Sequence, residues 1–346
     1  PPPPSTEIFV SSPQLVASHD KIQPTSISWL GGSKAIIDAP ISTFRDGATV
    51  YWINSNDILT TTHRGTVDDP FQTISWQKPT AELFNTLPLT KTPDGTRPGY
   101  WIVNAYQDPA GILAFIHTEF PKVTGGVYHT GKTRIGLAWL ANGSGTFKYL
   151  GDILIPFSDP DDYNVEGAPY VIKDGFFYVY YKDNCSGGNL ALARAPVADV
   201  IASAKQGLTT TWKKYNGSSW DGAGLGGACT RITLGDGITH TDAAYSTHTG
   251  KYYMLSSTMN WGGIPTWIKL YESTDGITWT FRKTIVEEPA SAVAEGYQYV
   301  SIVDASGSDN GKVGQKFYIY SSKAPSSSTS AVYRWLVDLS GATVVT

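Results

Sequence analysis

Five times along this chain a polar or charged residue leads into a short apolar run, a glycine-centred turn and a second apolar run rich in aromatics. The units open at Asp38-Ala39-Pro40, Arg97-Pro98-Gly99, Glu166-Gly167-Ala168-Pro169, Thr241-Asp242 and Glu295-Gly296. Spacings of roughly 50–80 residues suit a four-stranded unit with long loops, and recurrence on that scale marks a repeat architecture. Within each unit, runs rich in Val, Ile, Tyr, Phe and Trp are parted by Asp46-Gly47, Pro109-Ala110-Gly111, Asp174-Gly175, Thr249-Gly250 and Asp275-Gly276, which read as hairpin turns. The pattern predicts an all-β chain folded as a five-bladed β-propeller, a single domain with a central active-site channel. Only the stretch 195–206 reads as helix. Residues 1–35 form a lead-in whose Leu15–His19 run supplies a closing strand for the Tyr333–Leu339 run, and residues 36–346 form the propeller.

With 41% hydrophobic and 12% aromatic residues, the chain can bury a large core. A net charge of −4 without any cluster of Lys and Arg argues against nucleic acid or an anionic membrane as partner. No apolar run is long enough to span a bilayer. The start Pro1-Pro2-Pro3-Pro4 reads as an end left by removal of a signal or pro-segment. Asn142-Gly143-Ser144, Asn184-Cys185-Ser186 and Asn216-Gly217-Ser218 are sequons, so the expectation is a secreted, extracellular glycoprotein, monomeric in solution. Cys185 and Cys229, the only cysteines, lie in Gly-rich loops and are expected to form a disulfide there. Neither has a His or Cys at metal-ligand spacing beside it.

In a propeller the residues at unit openings converge although they are far apart in sequence. Asp38 and Glu166 stand out because a proline soon follows each and leads into an aromatic strand. A pair of carboxylates is the minimum equipment for glycoside hydrolysis, one protonated to serve the leaving oxygen and one ionised to activate water. His117 and Glu119 lie two apart on a strand and so share a face; they either bind sugar or move protons, or else form a buried His–Glu pair. His240 and Asp242 repeat that spacing, and Glu295 is a further carboxylate at an opening. Arg97 is a charge partner for Asp38 or for a uronate on the substrate. Trp52 and Trp101, with Tyr100 and Tyr170, either stack on sugar faces or fill the core, the commoner use of such residues.

The run from Glu166-Gly167-Ala168-Pro169 through Tyr181 resembles the segment that carries the general acid in glycoside hydrolase family 43 and its five-bladed relatives. Asp38-Ala39-Pro40 and the strand after it are similar to the segment carrying their general base, and Ser273–Trp279 is similar to their outer-strand run. The resemblance implies a hydrolase of arabinofuranosides or xylosides in plant or microbial polysaccharides, inverting, with Asp38 as base and Glu166 as acid. Their carboxyl groups should then lie roughly 6.5–9.5 Å apart. The family's third carboxylate, which tunes the acid, falls where this chain has Thr96-Arg97-Pro98. Either Asp94 or Glu119 substitutes, or the catalytic arrangement differs. Nothing in the sequence requires a cofactor; a central Ca2+ is compatible, since relatives often hold a cation or water to which His240 or Asp242 would contribute. Two alternatives stand beside the hydrolase: a polysaccharide lyase in which Arg97 neutralises a uronate and His117 or a Tyr takes the C5 proton, and a non-catalytic sugar-binding propeller.

Overall fold

The structure, a computed structural model, describes residues 7–22, 37–56, 59–79, 99–235, 238–258, 265–289, 296–307, 310–326, 329–342 and 344–345. Arg97, Glu295 and Asp94 lie outside the described residues.

Five antiparallel sheets follow one another along the chain. The first runs through Ser42–Asp46, Thr49–Asn54, Leu59–Gly65 and Thr73–Pro79, the second through Gly99–Asp108, Gly111–Thr124, Val127–Ala141 and Lys148–Leu154. The third is built from Tyr170–Lys173, Phe176–Tyr181, Ala191–Pro196, Lys213–Lys214 and Gly222–Ala223. The fourth takes His240–Ser246, Lys251–Ser257, Thr266–Ser273 and Thr280–Glu288, with Lys312–Val313 added parallel to its first strand. The fifth takes Tyr297–Asp304, Lys316–Ser326, Thr329–Asp338 and Phe9–Val10. The chain is a five-bladed β-propeller. Turn chemistry accounts for the hairpins: Asp174 and Gly175, at φ 52° and 79°, form the two-residue link between Lys173 and Phe176, a geometry that glycine and aspartate adopt at least cost.

One compact unit comprises residues 1–54, 61–76 and 234–346. The two ends of the chain meet in it: Phe9 pairs with Asp338, and Gln14–Ala17 pairs with Thr329–Asp338 through Gln14–Arg334 and Leu15–Tyr333. The strand stops at Ala17, because His19–Ile22 turns into one helical turn, a second helix beyond the one expected. Trp52, 0% exposed, packs edge-on against Tyr320 and Phe71 at 5.2 and 6.3 Å between ring centres. Trp52 is therefore core and has no face to offer a sugar, which corrects the stacking role considered for it.

The other unit comprises residues 55–60 and 77–233. Its core is an aromatic cluster of Phe115, Tyr170, Phe177 and Trp212, with Phe115 and Tyr170 stacked at 5.3 Å. Tyr170 is buried and its hydroxyl donates to the Ala105 carbonyl at 2.9 Å, so it too is a core residue. The expected helix spans Val197–Lys205 and buries Val200, Ile201 and Ala204. Cys185 and Cys229 form the disulfide, 44 residues apart in sequence. Beneath it Asp183 and Lys214, both fully buried, pair at 2.7 Å.

Candidate functional site

Asp38 and Glu166 sit in comparable local settings, one in each unit. Asp38 is half-buried between buried Ile37 and Ala39, just before the first strand of the first sheet. The hydroxyl of Tyr299 donates to Asp38 Oδ1 at 2.8 Å. Tyr299 has φ 55°, a left-handed conformation that is rare for a bulky aromatic. Its origin is a β-bulge: Gln298 pairs with Ser322 and Ser301 with Tyr320, so three steps on one strand oppose two on the other. The ring of His240 lies 4.6 Å from that of Tyr299.

Asp242 does not point at Asp38 through any bond of its own; its carboxylate accepts the amides of Ala243 at 2.9 Å and of Ile302, on the bulged strand, at 2.6 Å. Burial pushes its carboxyl up to about 7, against the two amides, which favour the ionised form. Each of its two oxygens accepts one backbone amide.

Glu166 follows the last strand of the second sheet and precedes the first of the third, its side chain 12% exposed. It too is left-handed, at φ 60°. The chain leading into it is held by two bonds: the Glu166 amide donates to Asn164 Oδ1 at 2.8 Å, and the Val165 amide donates to Thr133 Oγ1 at 2.9 Å. Thr133 Oγ1 in turn donates to the Tyr163 carbonyl at 2.5 Å. The Lys182 ammonium donates to Glu166 Oε1 at 3.1 Å. Burial first, then the carboxylates of Asp183 and Glu166, push the Tyr163 phenol up to about 12, against Arg231, so it stays protonated.

His117 and Glu119 pair, Nε2 to Oε1 at 3.1 Å, and His117 Nδ1 is buried with no hydrogen-bond partner. Glu119 stands opposite Thr133 in the sheet register, and Thr133 is the residue whose hydroxyl holds Val165, so this pair belongs to the neighbourhood of Glu166. The Trp101 ring packs 5.4 Å from His117 and over Gly99, where a Cβ would come within 2.5 Å of it. Trp101 and Tyr100, 9% and 4% exposed, are packed inward, so neither supplies the open stacking face considered for them. Among the described residues, the one grouping of three metal-type ligands is Asp183, Cys185 and Cys229, and both cysteines are spent in the disulfide. Also among them, no helix is long and apolar enough to cross a membrane.

Tyr299, Lys182, Thr133 and Asn164 were not singled out in the sequence. Tyr299 carries one faint signal, its place four residues after Glu295 at the fifth unit opening; Asn164 carries none beyond proximity to Glu166, and Lys182 and Thr133 carry none.

The chain is thus an all-β, five-bladed propeller with one hydrogen-bonded carboxylate at the opening of its first sheet and another at the opening of its third. No family model matches the sequence, and no curated protein matches it. Solved structures do share the fold. The α-L-arabinofuranosidase from Podospora anserina, solved in complex with cellotriose, has a TM-score of 0.52 at 9% identity, over 96% of this chain and 98% of that one. A GH43 protein from Bacillus licheniformis has a TM-score of 0.50 at 13% identity; the match covers 95% of this chain but spans only 57% of the Bacillus protein. At such identities the likeness is one of fold.

Proposed function

We propose that this chain is a glycoside hydrolase in which Asp38 is the general base and Glu166 the general acid. The observation that carries the reading is Glu166 itself: a half-buried carboxylate on a left-handed non-glycine backbone, the chain leading into it held by Asn164 and Thr133. Such strain costs about 1–3 kcal/mol and persists where the surroundings over-determine it, as at active sites. The names of the proteins of like fold, an arabinofuranosidase and a GH43 protein, support an arabinofuranoside- or xyloside-containing polysaccharide or its oligosaccharides as substrate. The disulfide fits an extracellular setting.

In this mechanism Glu166 gives its proton to the glycosidic oxygen as the bond to the anomeric carbon breaks. Asp38 takes a proton from the water that attacks the opposite face, and the anomeric configuration inverts. Glu119, paired with His117, takes the part of the third carboxylate that tunes the acid. Lys182 works against the proton that Glu166 must carry.

The test is hydrolysis of aryl glycosides and arabinoxylan by Glu166→Gln and Asp38→Asn. Glu166→Gln should lose at least about 100-fold on poor leaving groups and far less on activated ones, while Asp38→Asn should be inactive on both. The proton NMR spectrum of the first-formed product should show inversion. Full activity of either variant would overturn the assignment. An unsaturated, ultraviolet-absorbing product would replace hydrolysis by elimination and move the chemistry to His117.

A further inference from the structure

The fifth sheet contains a device that nothing in the hydrolytic scheme by itself requires. The extra residue in the Tyr297–Asp304 strand turns Tyr299 left-handed, and its hydroxyl meets Asp38 Oδ1 at 2.8 Å. The bulge is fastened from the neighbouring sheet, where the buried carboxylate of Asp242 accepts the Ile302 amide at 2.6 Å. The ring of His240, two residues before Asp242 on the same strand, lies against the Tyr299 ring at 4.6 Å. A strand of ordinary register would leave Tyr299 without this conformation, because a left-handed tyrosine is strained unless its neighbours fix it.

We propose that Tyr299 is a positioning residue for Asp38, and that Asp242 acts through it by clamping the bulge. The proposal rests on the reading of Asp38 as the base. Tyr299 fixes one carboxylate oxygen of Asp38 and with it the orientation of the carboxylate. Asp242 touches neither substrate nor water in this scheme; its effect on the reaction passes through the Ile302 amide and the backbone of Tyr299.

The experiment is a double-mutant cycle on the full chain with Tyr299→Phe and Asp242→Asn, assayed beside Asp38→Asn. Tyr299→Phe keeps the ring, the backbone and the contact with His240, and removes only the hydroxyl. It should lower kcat about 10–100-fold, the worth of one hydrogen bond to a charged group, with KM and melting temperature unchanged. Asp242→Asn can satisfy only one of the two amides and should also lower kcat. In the double variant the loss should be no larger than in Tyr299→Phe alone, because both substitutions break one device. Wild-type kcat in Tyr299→Phe, or a rise in KM with kcat intact, overturns the proposal, and strictly additive losses remove Asp242 from it. An active Asp38→Asn sinks the base assignment and the proposal with it. An inactive Asp38→Asn beside a fully active Tyr299→Phe sinks the proposal alone.

Discussion

The Lys182 ammonium lies 3.1 Å from Oε1 of Glu166, with side-chain exposures of 29% and 12%. A cation so close favours the ionised carboxylate, whereas a general acid must begin protonated. Lys182→Met removes that cation, and Glu166 then holds its proton to higher pH. If Glu166 is the acid, the alkaline limb of the kcat/KM profile moves up and the variant gains on the wild type above the optimum. If the acid limb moves up instead, Glu166 is the base and the roles of the two carboxylates are exchanged. An unmoved profile would remove Glu166 from the reaction.

Asp183 and Lys214 are a structural pair. The Asp183 carboxylate also accepts the Phe157 amide at 2.8 Å and the Tyr181 hydroxyl at 2.9 Å, and Lys214 Nζ also donates to the carbonyls of Ile155 and Gly227 at 2.7 and 3.0 Å. Burial drives the Lys214 ammonium below its ordinary value, against the favourable charge of Asp183. Asp183→Asn leaves that ammonium uncompensated and should cost roughly 3–5 kcal/mol, while the double change Asp183→Leu with Lys214→Met should cost much less. Urea denaturation of the three proteins decides the matter. A single variant no less stable than the double one would show that the pair is not the anchor described here.

Much of this was legible in the chain because it is local. Gly47, Gly175 and Gly250 sit in turns at positive φ, and the apolar runs between turns become the strands. The openings at Asp38 and Glu166 were visible for the same reason: each departs abruptly from the apolar run that follows. What stayed hidden depends on register. One inserted residue decides whether Tyr299 reaches Asp38, and nothing in Tyr297-Gln298-Tyr299 announces it. The aromatics mislead in the opposite sense, since alternation gives Trp52 a face without saying whether solvent or Tyr320 and Phe71 lie against it. Lys182 is 16 residues from Glu166, a separation at which no pattern links two side chains.

Removal of the disulfide tests how much the third sheet depends on it. Cys185 and Cys229, both buried, close a loop of 44 residues that holds the helix Val197–Lys205 and the strands Lys213–Lys214 and Gly222–Ala223. Restricting the unfolded chain over such a loop contributes about 3–4 kcal/mol. Cys185→Ser with Cys229→Ser should lower the denaturation midpoint accordingly, and reduction of the wild type should reproduce it. Equal stability of the oxidised wild type and the double serine variant would show that native strain or residual unfolded structure cancels the effect.

Asp242 gives stability a pH dependence of definite sign. In the folded protein burial lifts its carboxyl to about 7, while in the unfolded chain it titrates near 3.8. Between those values the native state keeps a proton that the unfolded state has released. Stability therefore falls as pH rises through this window, by at most about 1.4 kcal/mol per pH unit, and the loss is complete above the folded value. An amide in its place cannot ionise, so the Asp242→Asn protein lacks this contribution. The difference in unfolding free energy, wild type minus variant, should decline from roughly pH 4 to pH 7 and then level off. Equilibrium denaturation of both proteins across that range provides the measurement. A difference that stays flat, or rises with pH, would mean that the Ile302 and Ala243 amides outweigh burial and keep Asp242 ionised throughout.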